Sequence, residues 1–429
     1  MSAVLNLART LERADLPSAK HVFLRRDDAR LFELARSFDT CAAHGLAIGP
    51  LAGRIVVIKG NIDVQGFPTN AGSRSFTASP PADSAPLVQN LVDSGGVPMG
   101  QANMSEFAFS GLGLNPHFGT ARNALDPDLV PGGSSSGCAT AVSLGIADMA
   151  IGTDTSGSTR VPAACQGIYG FRPTMGRYNG QGIVPLAPSL DTPGPMARNM
   201  ISLLQLDMAL RRETTNTPDI PLPRLIVPEP KHLEPLHPEI RAMFACAARE
   251  LAYAGHRIEV RALPVLDDLG ELFRRHGTLV AVEAPETLAG LADLDDPQID
   301  PVIRQRLKAS QSIAPAAAAH IRAARATLKT KLAKQLDGDL LVLPTLSGPP
   351  PRLRAVQDNR EAFATENARI LRLSMLGAYL DMPSLAMPCG TRPGHSLTLA
   401  GVSGDDDRVL WTGQQIEPLL SPLASEVLA

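Results

Sequence analysis

"GRIVVIKGNIDVQG", residues 53–66, opens on four consecutive β-branched apolar residues, Ile55 to Ile58, and ends the run at Lys59-Gly60. Side chains of a strand alternate between its two faces, so an unbroken apolar run predicts a strand covered on both sides. Working outward, "SAPLVQNLVDSGG" (84–96) has helical spacing, with Ser84 as cap and Gly95-Gly96 as stop, and "VPMGQAN" (97–103) returns as a strand. This strand–helix–strand order predicts an α/β protein with a doubly wound core. Residues 137–147, "GCATAVSLGIA", are small and apolar, a helix able to lie close against a sheet. "DMAIGTD" (148–154) reads as the next buried strand.

Upstream, residues 3–46 read as two helices. Downstream, the proline-rich 211–230 is the best candidate for a connection leaving the core. Helix–strand–helix material follows at 238–292, then a helical region at 301–336 with a break at Pro315. Strands are expected in "GDLLVLPTLSGPPP" (338–351), "PSLAMPCG" (383–390) and "HSLTLAGVSG" (395–404). Strands at both ends of the chain predict one discontinuous α/β domain.

Composition narrows the function. The 429 residues are 44% hydrophobic and 19% charged, with 40 basic against 43 acidic residues and only 4% aromatic. A net charge of −3 and few stacking side chains argue against a nucleic-acid partner. The best membrane-span candidate, 138–152, is interrupted by Asp148, and "MSAVLNLARTLERADLP" lacks the apolar core of a signal peptide. The five cysteines (41, 138, 165, 246 and 389) never stand in C-x-x-C spacing. They read as reduced thiols of a cytoplasmic protein, with no metal site and no cofactor implied.

Two loops flank the small-residue helix and its strand: "PGGSSSGC" (131–138) and "DTSGSTRVPA" (154–163). In the second, a turn after a buried strand leaves successive backbone N–H groups free to stabilise an oxyanion, and Gly157 permits the backbone angles this needs. Ser158 is either an exposed nucleophile or a helix cap. The first loop is either a catalytic turn or a flexible one with a serine cap. It is no Walker loop, because Cys138-Ala139 follows Gly137 where Lys-Ser/Thr would be required. A nucleophilic serine needs a base. No histidine is well placed; His117 in "LNPHFGTARN" reads as packing, and Ser158 is not within G-x-S-x-G. Lys59 ends an apolar strand, so it is either a base whose pKa burial lowers or a strand-end lysine reaching solvent.

In combination, "VVIKGNIDV", "PGGSSSG" and "GTDTSGSTRVPAACQGIYGFRPT" stand in an order that resembles the amidase signature family. The resemblance runs from about residue 50 through "GRYNGQGIVPLAPSLDTPGPMARN" (176–199) and returns in "LLVLPT" and "PSLAMPCG". Within the family it is most similar to bacterial amidases and short indole-acetamide hydrolases. It implies a single large α/β/α sandwich, a mixed twisted sheet covered by helices on both faces. It divides the chain into a helical cap (1–50), a catalytic core (51–210), a variable and mostly helical region shaping the substrate pocket (211–380), and closing strands with a C-terminal segment (381–429).

The resemblance also implies a Ser–cis-Ser–Lys triad: Lys59 as base, Ser134 as relay with a cis peptide bond, and Ser158 as nucleophile. The N–H groups of Thr155, Ser156, Gly157 and Ser158 would form the oxyanion hole. Ser156 stands where the family usually has glycine. Asp154, Arg160, Ser135 and Ser136 would brace the loops, and Gln166 and Tyr169 are candidates for bordering the substrate. The implied activity is hydrolysis of a small-molecule amide, with a homodimer as the assembly left open. Alternatives are the glutaminase subunit of a tRNA-dependent amidotransferase and a catalytically silent binding protein. Against the subunit, "RVPAA" replaces the Gln-Pro-Ala continuation, and "VIRQRLKASQSI" (302–313) stands in place of Arg-Arg-Ile-x-x-Gly-Thr.

Overall fold

The computed structural model describes residues 2–46, 49–213 and 222–420. Eleven strands form one sheet. They are β1 (Phe23–Arg25), β2 (Ile55–Lys59), β3 (Val97–Ala102), β4 (Met149–Asp154), β5 (Tyr169–Arg172), β6 (Thr192–Ala197), β7 (Leu225–Pro228), β8 (Ile258–Arg261), β9 (Leu340–Pro344), β10 (Ser384–Pro388) and β11 (Ser396–Ala400). Their order across the sheet is β1-β3-β2-β4-β6-β5-β10-β11-β9-β7-β8. β2 runs parallel to β3 and β4, and β7 runs parallel to β8 and β9. Between these two parallel blocks, β6, β5, β10 and β11 pair antiparallel. The sheet is therefore mixed, two doubly wound flanks joined by an antiparallel centre.

The run that predicted β2 is buried throughout, and its side chains divide between two cores. Val56 and Ile58 join the cluster built with the helices Pro86–Asp93 and Met200–Arg211. Ile55 and Val57 join the opposite one, built with Ala3–Ala14, Asp28–Ala43 and Ser136–Ser143. Each buried side chain contributes roughly 1.5–3 kcal/mol. Both faces are covered by helices, as an α/β/α sandwich requires.

Several boundaries differ from expectation. Residues 3–46 hold two helices but also β1, a three-residue edge strand too short to leave a periodic signal. Ser84 is not a cap. Pro86 occupies the first helical turn, so the helix starts later, and the Ser84 hydroxyl accepts the Gln65 N–H at 3.0 Å instead. Of the 211–230 connection, residues 214–221 lie outside the described residues, while β7 is a strand within the sheet. Region 211–380 supplies three strands besides its helices, and Pro315 does start a new helix after the break. No helix among the described residues is long and apolar enough to cross a membrane.

If β2 anchors both cores, Ile58→Ala should lower the unfolding free energy by about 2–5 kcal/mol and Ile58→Val by about 0.5–1.5 kcal/mol. Urea denaturation measures both; equal, negligible effects would mean that the strand is not a core element.

Candidate active site

The parallel block brings the C-terminal ends of β2, β3 and β4 to one edge of the sheet, and the loops leaving these strands meet there. Lys59 is the last residue of β2 and is fully buried. Its Nζ lies 2.7 Å from Ser134 Oγ, 2.7 Å from Thr153 Oγ1 and 3.3 Å from the Thr153 carbonyl. No carboxylate among the described residues forms an ion pair with it. Burial is the main influence and drives its pKa down to about 8, against weaker opposing pulls from Cys138, Asp154 and Asp191. A minor fraction of the amine, roughly a tenth at pH 7, is therefore neutral, far more than in an exposed lysine.

Ser134 follows a cis peptide bond with Gly133. Its carbonyl accepts the Ser105 N–H at 3.1 Å, which ties the loop to the end of β3. The next residues begin the helix Ser136–Ser143. This helix approaches the β3 loop so closely that a Cβ at Gly137 would collide with the Val22 carbonyl and the Asn103 backbone. Ser135 occupies the cap position, but its hydroxyl donates to the Thr153 carbonyl at 3.4 Å rather than serving a helix N–H. The Ser136 hydroxyl is buried without a partner.

The second loop is organised by Asp154. Its carboxylate accepts the Gly157 N–H at 2.7 Å, the Thr159 N–H and hydroxyl at 3.2 and 2.8 Å, and Nε and Nη2 of Arg160, both at 3.0 Å. Arg172 lies 3.6 Å away on the other side. Burial alone would raise this carboxyl's pKa, but Arg160 first, then Arg172 and Thr159, hold it well below the usual carboxylate range. Arg160 also reaches the Ser374 carbonyl at 2.9 Å, and the Ser374 hydroxyl donates to the Ser156 carbonyl at 2.7 Å. Gly157 sits at φ +130°, and a Cβ there would strike the Ser374 hydroxyl.

The two loops touch through the Ser135 N–H, 3.3 Å from the Ser158 carbonyl. Lys59 and Ser134 are thus joined by a direct side-chain hydrogen bond. Ser158 is joined to them through backbone, and its Oγ makes no hydrogen bond to another protein group among the described residues. Of the four N–H groups expected to face an oxyanion, that of Gly157 is committed to Asp154. Those of Thr155, Ser156 and Ser158 have no protein partner among the described residues. The Ser156 hydroxyl is buried and unpartnered.

A cavity of about 230 Å³ opens beside Thr153 and Thr155, lined also by Asn61, Ala108, Val184 and Asp191. Asp191 accepts the Thr155 hydroxyl at 2.5 Å and the Leu186 and Ala187 N–H groups, and burial raises its pKa. The lining comes mainly from residues 153–193. The helical region stands behind it, where Glu283 and Arg325 both bond Ser189. Gln166 lies outside the lining, with its amide used between Pro131, Thr140 and Ala124. Tyr169 is buried in β5. His117 pairs with Glu106 at 3.1 Å. Burial raises the pKa of Cys138 to about 12, which leaves an inert thiol.

Sequence reasoning missed Thr153, Asn61, Asp191, Arg172 and Ser374. Thr153 carried the one available signal, since it immediately precedes Asp154 at the end of an apolar strand.

Comparison with known proteins defines the class. The amidase family model matches residues 6–410. The 2-amino-5-chloromuconic acid deaminase of Comamonas testosteroni is 33% identical over 92% of this chain and 87% of its own length. The mandelamide hydrolase of Pseudomonas putida is 30% identical over 94% of this chain and 85% of its own. A crystal structure of an amidase superposes with a TM-score of 0.88 at 30% identity, covering 98% of this chain and 97% of the other. The chain belongs to the amidase family. It is a hydrolase acting on amides.

The lowered pKa of Lys59 has two measurable consequences. If the neutral amine is the base, kcat/KM should climb about tenfold per pH unit below pH 8 and level off above it. For stability the sign runs the same way. An unfolded chain, with its lysine near 10.5, binds more protons than the folded one between about pH 8 and 10.5, so stability rises with pH across that window. Below it the burden of the buried amine is roughly 3 kcal/mol. Lys59→Met should therefore lose activity yet unfold at a urea concentration no lower than wild type at pH 7.

Proposed function

We propose that this protein hydrolyses a small-molecule carboxylic amide to a carboxylate and ammonia or an amine, through an acyl-enzyme on Ser158. Neutral Lys59 accepts the Ser134 hydroxyl proton while Ser134 takes the Ser158 proton, and Ser158 Oγ attacks the carbonyl carbon. The N–H groups of Thr155, Ser156 and Ser158 stabilise the oxyanion, with Gly157 holding the turn through Asp154. The tetrahedral intermediate collapses as the relay returns a proton to the departing nitrogen. Water then attacks the acyl carbon, passes its proton to the relay and frees Ser158.

One observation carries the reading: a fully buried lysine amine 2.7 Å from a serine hydroxyl, with no carboxylate in the pair. Asn61 adds to it. Its Oδ1 is buried and unpartnered on the cavity wall, an acceptor suited to an N–H of a primary amide. The cavity of about 230 Å³ favours a small acyl group. The full-length likeness to mandelamide hydrolase supports the same size class. We read the whole chain as one amidase unit, because strands from β1 to β11 join one sheet, and as a cytoplasmic enzyme, because its five cysteines are free thiols. The local departures at 161–163 and 302–313 count against the glutaminase subunit.

A panel of primary amides, followed by ammonia release, tests the activity, with Ser158→Ala as blank. Ser158→Ala should reduce kcat by about 10⁴-fold or more and abolish labelling by a fluorophosphonate probe. Undiminished labelling in that variant would place the nucleophile elsewhere, and no labelling of the wild type would favour a silent binding protein.

A further inference from the structure

A second cavity, larger than the one beside Thr153, lies well away from it. A cleft of about 560 Å³ lies at the opposite edge of the sheet, below the start of β2 and of β4 and the end of β6. Four arginines line it: Arg9 and Arg13 from the first helix, Arg54 just before β2, and Arg198 just after β6. They face one carboxylate, Asp148, which is already engaged. It accepts from Arg54 Nη1 at 3.3 Å, the Ile55 N–H at 3.0 Å and Asn6 Nδ2 at 3.3 Å.

The remaining three guanidiniums have no acidic partner among the described residues. Arg13 donates to the Gly145 carbonyl at 2.7 Å. Arg198 and Arg9 make no hydrogen bond or ion pair with another described residue. The Arg13 and Arg198 guanidiniums nevertheless converge on one spot. A Cβ built on Gly145 would lie 3.0 Å from Arg13 Nη1 and 2.8 Å from Arg198 Nη2. All three side chains are exposed, so they are free to turn toward an incoming anion, and its arrival would relieve their mutual repulsion. Other surface arginines, such as Arg274 and Arg275 with Glu271, do have a carboxylate. Asn199, the cap of the helix Met200–Arg211, and Ser202 close one side; the Ser202 N–H is held by Asn199 at 2.8 Å and the Met200 N–H by Glu417 at 3.0 Å.

We propose that this cleft binds a small phosphate-bearing ligand, with Arg9, Arg13 and Arg198 as its cation clamp. Guanidinium forks match phosphate oxygens bidentately. The volume exceeds what one bare phosphate fills, which points to a diphosphate or a phosphorylated small molecule. The site is separate from amide hydrolysis and does not rest on the reading given for Ser158.

Isothermal titration of the full chain with pyrophosphate at low ionic strength tests this, with sulfate and citrate as parallel arms. Saturable one-site binding is expected, weakened about tenfold or more in Arg9→Ala/Arg198→Ala and unchanged in the control pair Arg274→Ala/Arg275→Ala. Arg198→Gln removes no protein contact and should shift affinity in the same direction even if the double variant folds poorly. No saturable binding would overturn the proposal, as would an equal loss in the control pair. Citrate binding as tightly, with the same dependence on Arg198, would overturn the phosphate assignment.

Discussion

The structure turns on a lysine amine held away from water by its own strand. Lys59 loses its hydration because β2 is covered on both faces, and it loses the usual remedy because no carboxylate meets it. Two hydroxyls and a carbonyl take that place. A carboxylate in contact would hold the amine charged and end its usefulness as a base; hydroxyls satisfy it in either state. The small residues of Ser136–Ser143 belong to the same requirement. Gly137, Cys138 and Ala139 let that helix lie close enough for Ser134, just before it, to reach the end of β2.

The nearest acid shows how such a site stays neutral at the lysine. Asp154 is close enough to act on Lys59 through space, but Arg160 and Arg172 compensate its charge. Its oxygens are also spent on the turn from Gly157 to Thr159. One buried carboxylate thus shapes the second loop, and two buried arginines compensate its charge beside Lys59. Arg160 extends the restraint to Ser374, on a helix more than 200 residues later in the chain. Ser374, which holds the Ser156 carbonyl, is not among the residues lining the cavity beside Thr155.

Much of this was legible because it is local. Four apolar residues ending in Lys59, a small-residue helix, and a strand ending in Asp154 each announce their own structure, and the family resemblance supplied their meeting. What could not be read depends on distant segments. Thr153 matters to Lys59 only because β4 lies beside β2 in a particular register. Asp191 and Ser374 arrive from loops and helices whose local sequence says nothing of Thr155 or Ser156. The resemblance implied a mixed sheet, but which strands pair antiparallel could not be read locally, since β5 and β10 are some 200 residues apart. Gly157 was expected among the oxyanion donors, and only the position of the Asp154 oxygen reveals that its N–H is in use.

The two ends of β2 also separate two kinds of charge. Five strand residues span about 17 Å, so Arg54 and Lys59 sit at opposite poles of the sheet. Exposed charges at that distance are largely screened at physiological ionic strength, where the Debye length is about 8 Å. None of the cleft arginines is among the groups that shift Lys59, whose proton balance is set chiefly by burial. Influence between the poles has to be mechanical, carried by elements that reach both. β2 is one, running from Arg54 to Lys59; the Gly145–Asp148 turn is another, joining the helix behind Ser134 to the strand that ends at Thr153 and Asp154. Ile55 to Lys59 and Gly145 to Ala147 are buried, and a packed element moves as a body rather than bending. A ligand held between Arg13 and Arg198 would thus bear on the same helix and strand whose far ends carry the hydroxyls around Lys59.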